Sequence, residues 1–166
     1  MIRVALIPVF LLVLYIHVSS GRYYAMAIFI VAGLTDIADG YIARRRGQVT
    51  DFGKFLDPLA DKVLVVAAML WFVEQGSMPA WVALIVVIRE FAVTALRLVA
   101  AGGGRVIAAG VLGKIKTLVT MVCLTAMFLP LQIWMNYACL AAITVTTLIS
   151  GIEYFVMNRD MMSWKA

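Results

Sequence analysis

The sequence predicts an all-α integral membrane protein: a bundle of six transmembrane helices with a polar cavity open to the cytoplasm. Three observations predict it. Of 166 residues, 64% are hydrophobic and 14% charged, and the mean hydropathy of +1.02 does not suit a soluble core. The apolar residues gather into runs of about twenty, the length that spans a hydrocarbon layer. The Lys and Arg residues cluster at alternate connections, as the positive-inside rule expects. A chain of this length has room for one domain, residues 1–166.

The predicted segments are 2–18, 23–43, 56–73, 79–100, 108–129 and 133–156. The first has the length of a secretory signal, but no polar small-residue cleavage site leads into a soluble domain, so it is read as a retained span. The second ends in the polar run Asp36-Ile-Ala-Asp39-Gly40-Tyr-Ile-Ala43-Arg44. The third is entered through Gly53-Lys-Phe-Leu-Asp57-Pro58-Leu-Ala-Asp61, where Asp57-Pro58 taken alone reads as an N-cap followed by a first-turn proline. The fourth carries Arg89, Glu90 and Arg97, and the fifth opens with Gly110-Val-Leu-Gly113-Lys114-Ile-Lys116-Thr117. The sixth is apolar almost throughout. His17–Arg22, Glu74–Pro79 and Pro130–Gln132 mark turns.

Charge placement orients the bundle. With the N-terminus inside, thirteen of the fourteen Lys and Arg residues fall in cytoplasmic loops or cytoplasmic halves of helices, and Arg22 is the exception. Both termini and the aspartate run are then cytoplasmic. The net charge of +5 fits helix ends facing anionic headgroups better than nucleic acid. Cys123 and Cys139 lie inside apolar spans without metal-ligand spacing and read as small hydrophobes, not a disulfide. His17 reads as interfacial, and the methionines and aromatic residues as packing and interface anchors.

Five of the nine acidic residues fall between positions 36 and 61, and four of them, Asp36, Asp39, Asp57 and Asp61, keep helical spacing in pairs. Carboxylates at the polar ends of apolar segments need partners, and a divalent cation serves several at once. On a helix, 36, 39, 40, 43 and 44 form one stripe, and 53, 57 and 61 another. Two facing helices would gather four carboxylates around one space, which reads as a two-metal site. Each aspartate alone could equally be a helix-end charge.

The pattern D-x2-D-G-x2-A-R-x8-G-x3-D-x3-D resembles the signature of the CDP-alcohol phosphotransferases, membrane enzymes that move a phosphate-containing group from a CDP-linked donor to an alcohol and release CMP. All eight specified positions match. The resemblance implies two Mg²⁺ (or Mn²⁺) ions held by Asp36, Asp39, Asp57 and Asp61, with Asp61 also the general base. It implies a donor site at Gly40, Ala43, Arg44 and Gly53, Arg44 pairing with the diphosphate. Taken by themselves, the small residues Gly40, Ala43 and Gly53 read as close helix packing. Arg45 and Arg46 read as topology determinants.

A second cluster concerns the acceptor. Arg89 lies too deep in its segment to serve solubility. Glu90, being adjacent, points about 100° away, so an external anion is expected as the partner of Arg89. Gly110–Thr117 is not a phosphate loop, because Ala108 and Ile115 stand where a Walker motif needs Gly and Ser or Thr. Lys114 and Lys116 taken alone could snorkel to the interface. Together with Arg89 and Arg97 they make a cationic cup that suits a phosphorylated small alcohol. These stretches are similar to those of family members that use CDP-diacylglycerol and glycerol 3-phosphate, and the similarity covers almost the whole chain. One departure is the start: such members carry Asn-x-x-Thr-x-x-Arg before the first span, whereas this chain begins Met-Ile-Arg3. Rival readings are another acceptor (inositol phosphate, serine, phosphatidylglycerol) or a divalent-cation transporter, which would spread its acids across the membrane depth. Anionic lipids are expected partners, nucleic acid is not, and a homodimer is left open.

Overall fold

Six helices follow one another in the computed structural model: α1 (Ile2–Tyr15), α2 (Gly21–Arg46), α3 (Asp51–Glu74), α4 (Ala80–Gly102), α5 (Val111–Met127) and α6 (Ile133–Met157). The structure describes residues 2–15, 21–46, 51–102 and 110–159, with side chains except at 2–5, 36–61 and 101. Each helix coincides with a predicted segment to within a few residues, and no strand occurs among the described residues. The main difference lies between the second and third. Helix runs on through Arg44–Arg46 and resumes at Asp51, so Pro58 is inside α3, not in its first turn. The polar motif holds a 3.6-residue period of its own, so helix continues where the apolar run stops.

At one end of the bundle the links are short and well bonded. After α3, Gly76 adopts φ 69°, and Ser77 and Met78 both donate their backbone N–H to the Phe72 carbonyl. Only glycine enters the left-handed region without strain, which closes the helix and turns the chain into Pro79 and α4. Phe128 caps α5, Pro130 follows, and Gln132 in extended conformation starts α6.

The core sits at this end. Phe10, Phe29, Phe72 and Phe128 are fully buried and Trp71 nearly so, the rings of Phe72 and Phe128 being 4.8 Å apart and those of Phe10 and Phe29 6.0 Å. Polar contacts tie the same end together. Arg22 donates to the Met127 carbonyl (3.0 Å) and lies over the Trp71 ring, Asn136 donates to the Ser77 carbonyl (2.8 Å), and Tyr15 donates to Glu74 (2.6 Å). Arg22 thus satisfies a carbonyl in the last turn of α5. The expectation that Cys123 and Cys139 are unbridged holds: both are free and pack against the core.

The exterior is apolar on every helix: Leu12, Leu34, Leu70, Phe91, Leu118 and Ile152 are 59–71% exposed. An apolar surface this extensive suits lipid, not water. By length and composition, one described helix qualifies to cross a membrane, Ile133–Met157. α4 is long enough, but Arg89, Glu90 and Arg97 interrupt it. α1 and α5 have 14 and 17 residues.

Candidate functional site: a charged network beside the aspartate helices

Asp36, Asp39, Gly40, Ala43 and Arg44 lie in the C-terminal half of α2, and Gly53, Asp57 and Asp61 in the N-terminal half of α3. Residues 47–50 connect the two helices, so their facing ends are at most about 18 Å apart for an extended chain. Both halves of the motif therefore occupy one end of the bundle, opposite the aromatic core. The side chains of all eight lie outside the described residues, as do the expected metal and donor sites. Both halves are helical, so the i, i+3 and i, i+4 spacings place each aspartate pair one turn apart. Carboxylate oxygens are the hard ligands that Mg²⁺ and Mn²⁺ accept. Among the described residues, no cluster of three or more His, Cys, Asp or Glu could hold a metal ion.

The charged network begins one residue beyond Asp61. Lys62 donates from Nζ to Thr94 Oγ1 on α4 and lies 3.9 Å from Glu90 Oε2. Thr94 Oγ1 in turn donates to the Glu90 carbonyl one turn back (2.7 Å). Glu90 Oε1 accepts from Arg89 NH1 at 2.8 Å and from Lys116 Nζ on α5 at 2.9 Å. Lys116 is buried, 4% exposed, a position that a lysine holds in its charged form only with a close anion. Glu90 is that anion. One carboxylate thus joins α3, α4 and α5 level with the aspartate motif.

The Arg89–Glu90 pair corrects the sequence reading, which took Glu90 as a poor partner for Arg89 and looked to an external anion instead. Neighbouring Cβ atoms on a helix do diverge, but an arginine stem is long enough to return if something opens its path. Two glycines open it. A Cβ on Gly151 of α6 would stand 3.3 Å from Arg89 Cγ, and one on Gly113 of α5 3.6 Å from its NH2. The stem passes over Gly151 and the guanidinium comes to rest by Gly113, where Glu90 meets it. Its Nε remains buried and unpartnered. An unsatisfied donor on a cation is costly to bury, and an arriving anion would satisfy it.

The other expected acceptor residues are placed differently. Arg97 is exposed, donates from Nε to Tyr154 OH at 3.0 Å and lies over that ring, 5.4 Å from its centroid. It marks the α4–α6 seam, two turns from Glu90. Lys114 is exposed on α5. Sequence reasoning missed Glu90 and Lys62 as members of this site. A signal for Glu90 was present, since it is the single acidic residue between Glu74 and Glu153. Lys62 offered none beyond its place after Asp61. Glu153 lies by Gly110 at the start of α5, its Oε2 3.6 Å from where a Cβ on that glycine would stand. A carboxylate there complements the helix N-terminus, which has no side-chain cap.

The family profile described as CDP-alcohol phosphatidyltransferase matches residues 1–150, and the chain belongs to this family. Within it, the chain is 44% identical to the CDP-diacylglycerol–glycerol-3-phosphate 3-phosphatidyltransferase of Bacillus subtilis (strain 168), across 96% of this chain and 92% of that one. It is 41% identical to the enzyme of the same name from Escherichia coli (strain K12), across 95% and 90%. It is 40% identical to a probable phosphatidylglycerophosphate synthase of Mycobacterium tuberculosis, across 93% and 76%.

Proposed function

We propose that this chain transfers a phosphatidyl group from CDP-diacylglycerol to glycerol 3-phosphate, forming phosphatidylglycerophosphate and releasing CMP. The observation that carries the reading is the cluster of Lys62, Arg89 and Lys116 around Glu90, one residue along α3 from Asp61. It puts cations suited to an acceptor's phosphate next to the helix stretch that bears the motif of the transfer chemistry.

In this reading all six helices cross a bacterial plasma membrane, both termini are cytoplasmic, and the donor's acyl chains remain in lipid. Arg44 pairs with the donor diphosphate, and Gly40, Ala43 and Gly53 let the nucleotide approach the backbone. Asp36, Asp39, Asp57 and Asp61 hold two Mg²⁺ (or Mn²⁺) ions, which when bound neutralise the diphosphate and polarise the phosphorus under attack. Arg89 and Lys116, with Arg97 and Lys114 further out, hold the phosphate of glycerol 3-phosphate. Asp61 takes the proton from the primary hydroxyl of glycerol 3-phosphate, whose oxygen forms the new bond to the phosphatidyl phosphorus as the bond to CMP breaks. A carboxylate beside cations is a weak base, so Asp61 acts by position.

The test is CMP release from CDP-diacylglycerol by purified protein, with glycerol 3-phosphate, glycerol, inositol phosphate or serine as acceptor. Release that depends on glycerol 3-phosphate is the expected result. Release driven equally by another acceptor, or by none, overturns the assignment.

A further inference from the structure

Three cations surround Glu90, and every one of them comes from a different position in the fold: Lys62 from α3, Arg89 from α4 and Lys116 from α5. Arg89 and Lys116 share one oxygen of that carboxylate. A phosphate monoester carries roughly one and a half to two negative charges at neutral pH, so it can accept charge-assisted hydrogen bonds from both cations at once, which an uncharged alcohol cannot.

The geometry gives Glu90 a positioning task. Its Oε1 accepts from both Arg89 and Lys116, whose donor atoms lie within 2.9 Å of it. Without that oxygen the two cations would repel each other and swing apart. With it, a guanidinium and an ammonium are held side by side before any substrate arrives. The buried Nε of Arg89 is left unpartnered, and Lys62 is held from the other carboxylate oxygen and Thr94.

We infer that Glu90 is a positioning residue of the acceptor site: it fixes Arg89 and Lys116 side by side as a clamp for the acceptor's phosphate. This rests on the proposed acceptor reading. The competing explanation is that Glu90 only neutralises buried Lys116.

The test compares wild type, Glu90→Gln and Glu90→Asp in detergent, with two probes. The first is turnover: KM for glycerol 3-phosphate, KM for CDP-diacylglycerol, and kcat. The second is the Kd for inorganic phosphate by calorimetry, which needs no turnover. Glu90→Gln is expected to raise the acceptor KM and the phosphate Kd about tenfold or more, with donor KM within about twofold. Glu90→Asp keeps the charge and is expected to recover part of the loss. Wild-type or tighter values in a folded Glu90→Gln overturn the inference, as does an equal rise in donor and acceptor KM, the mark of a purely structural role. If Glu90→Gln does not fold, Glu90→Asp decides: a several-fold rise in acceptor KM alone supports the inference, and an unchanged KM overturns it. If wild type does not use glycerol 3-phosphate, the functional reading falls, while the phosphate Kd series still judges Glu90. Wild type that binds no inorganic phosphate overturns the inference.

Discussion

Arg89 has about 20 Å of α4 between it and the helix's C-terminal end, at 1.5 Å per residue, and everything around it shapes what a substitution there does. Arg89→Lys keeps the charge but loses the planar fork that reaches Glu90 between two glycines. It is expected to raise the KM for glycerol 3-phosphate about tenfold, and Arg89→Ala by more, in line with ~1.5–3 kcal/mol for a charge-assisted hydrogen bond. Donor KM should stay near wild type, and steady-state assays with each substrate varied separately make the check. If both Arg89→Ala and Lys116→Ala keep the wild-type acceptor KM, these cations hold the helices together and do not bind the acceptor. The glycines discriminate further. Gly151→Ala places a methyl 3.3 Å from the Arg89 stem and forces it to shift, whereas Gly113→Ala makes an ordinary 3.6 Å contact. The first is expected to impair acceptor binding and the second to be mild. At the aspartates, Asn replacement of Asp36, Asp39 or Asp57 keeps size and removes charge, so turnover should fall by orders of magnitude. EDTA should abolish activity and Mg²⁺ or Mn²⁺ restore it; full activity in chelator sinks the two-metal reading.

Helices α1, α2 and α3 are pinned at one end by a single residue that belongs to none of them. Phe128, the C-cap of α5, is 1% exposed and packs against Phe10, Phe29, Trp71 and Phe72. Lipid supplies little hydrophobic drive between helices, so this end depends on packing itself. Phe128→Ala removes the shared ring and is expected to destabilise the protein by about 3 kcal/mol. Thermal unfolding in detergent should show a loss of several degrees, while KM values for the surviving enzyme stay unchanged. A drop in acceptor affinity instead would mean that the two ends of the bundle are coupled. At the opposite end α3, α4 and α5 are joined by charge, through Glu90. One end of the bundle is thus held by aromatic packing and the other by ion pairs, where the proposed chemistry needs polar groups.

The orientation of the whole bundle is testable from the asymmetry of its two ends. Gln75 is exposed on the α3–α4 link, at the aromatic end, and Gln48 belongs to the connection between the aspartate helices. In a background where Cys123 and Cys139 are replaced, cysteines at these two positions should label from opposite sides of the membrane. Labelling of Gln48→Cys from outside the cell overturns both the orientation and the cytoplasmic site. The six helices, their order and the family were legible in the sequence, because apolar runs of bilayer length and a motif at fixed helical spacing are local patterns. Arg89 and Lys116 were legible as cations out of place in apolar segments. Glu90 was discounted, because sequence distance says that neighbouring residues on a helix diverge, and nothing local tells how far a long side chain can bend back. Gly113 and Gly151 lie 38 residues apart in the chain, and their joint use as a passage for Arg89 exists only once α5 and α6 pack against α4. The same holds for Lys62, whose partners are on another helix. Sequence by itself determined which helices form and which chemistry they carry. Tertiary structure alone decided which carboxylate answers which cation, because that pairing depends on distances between helices that no local pattern encodes.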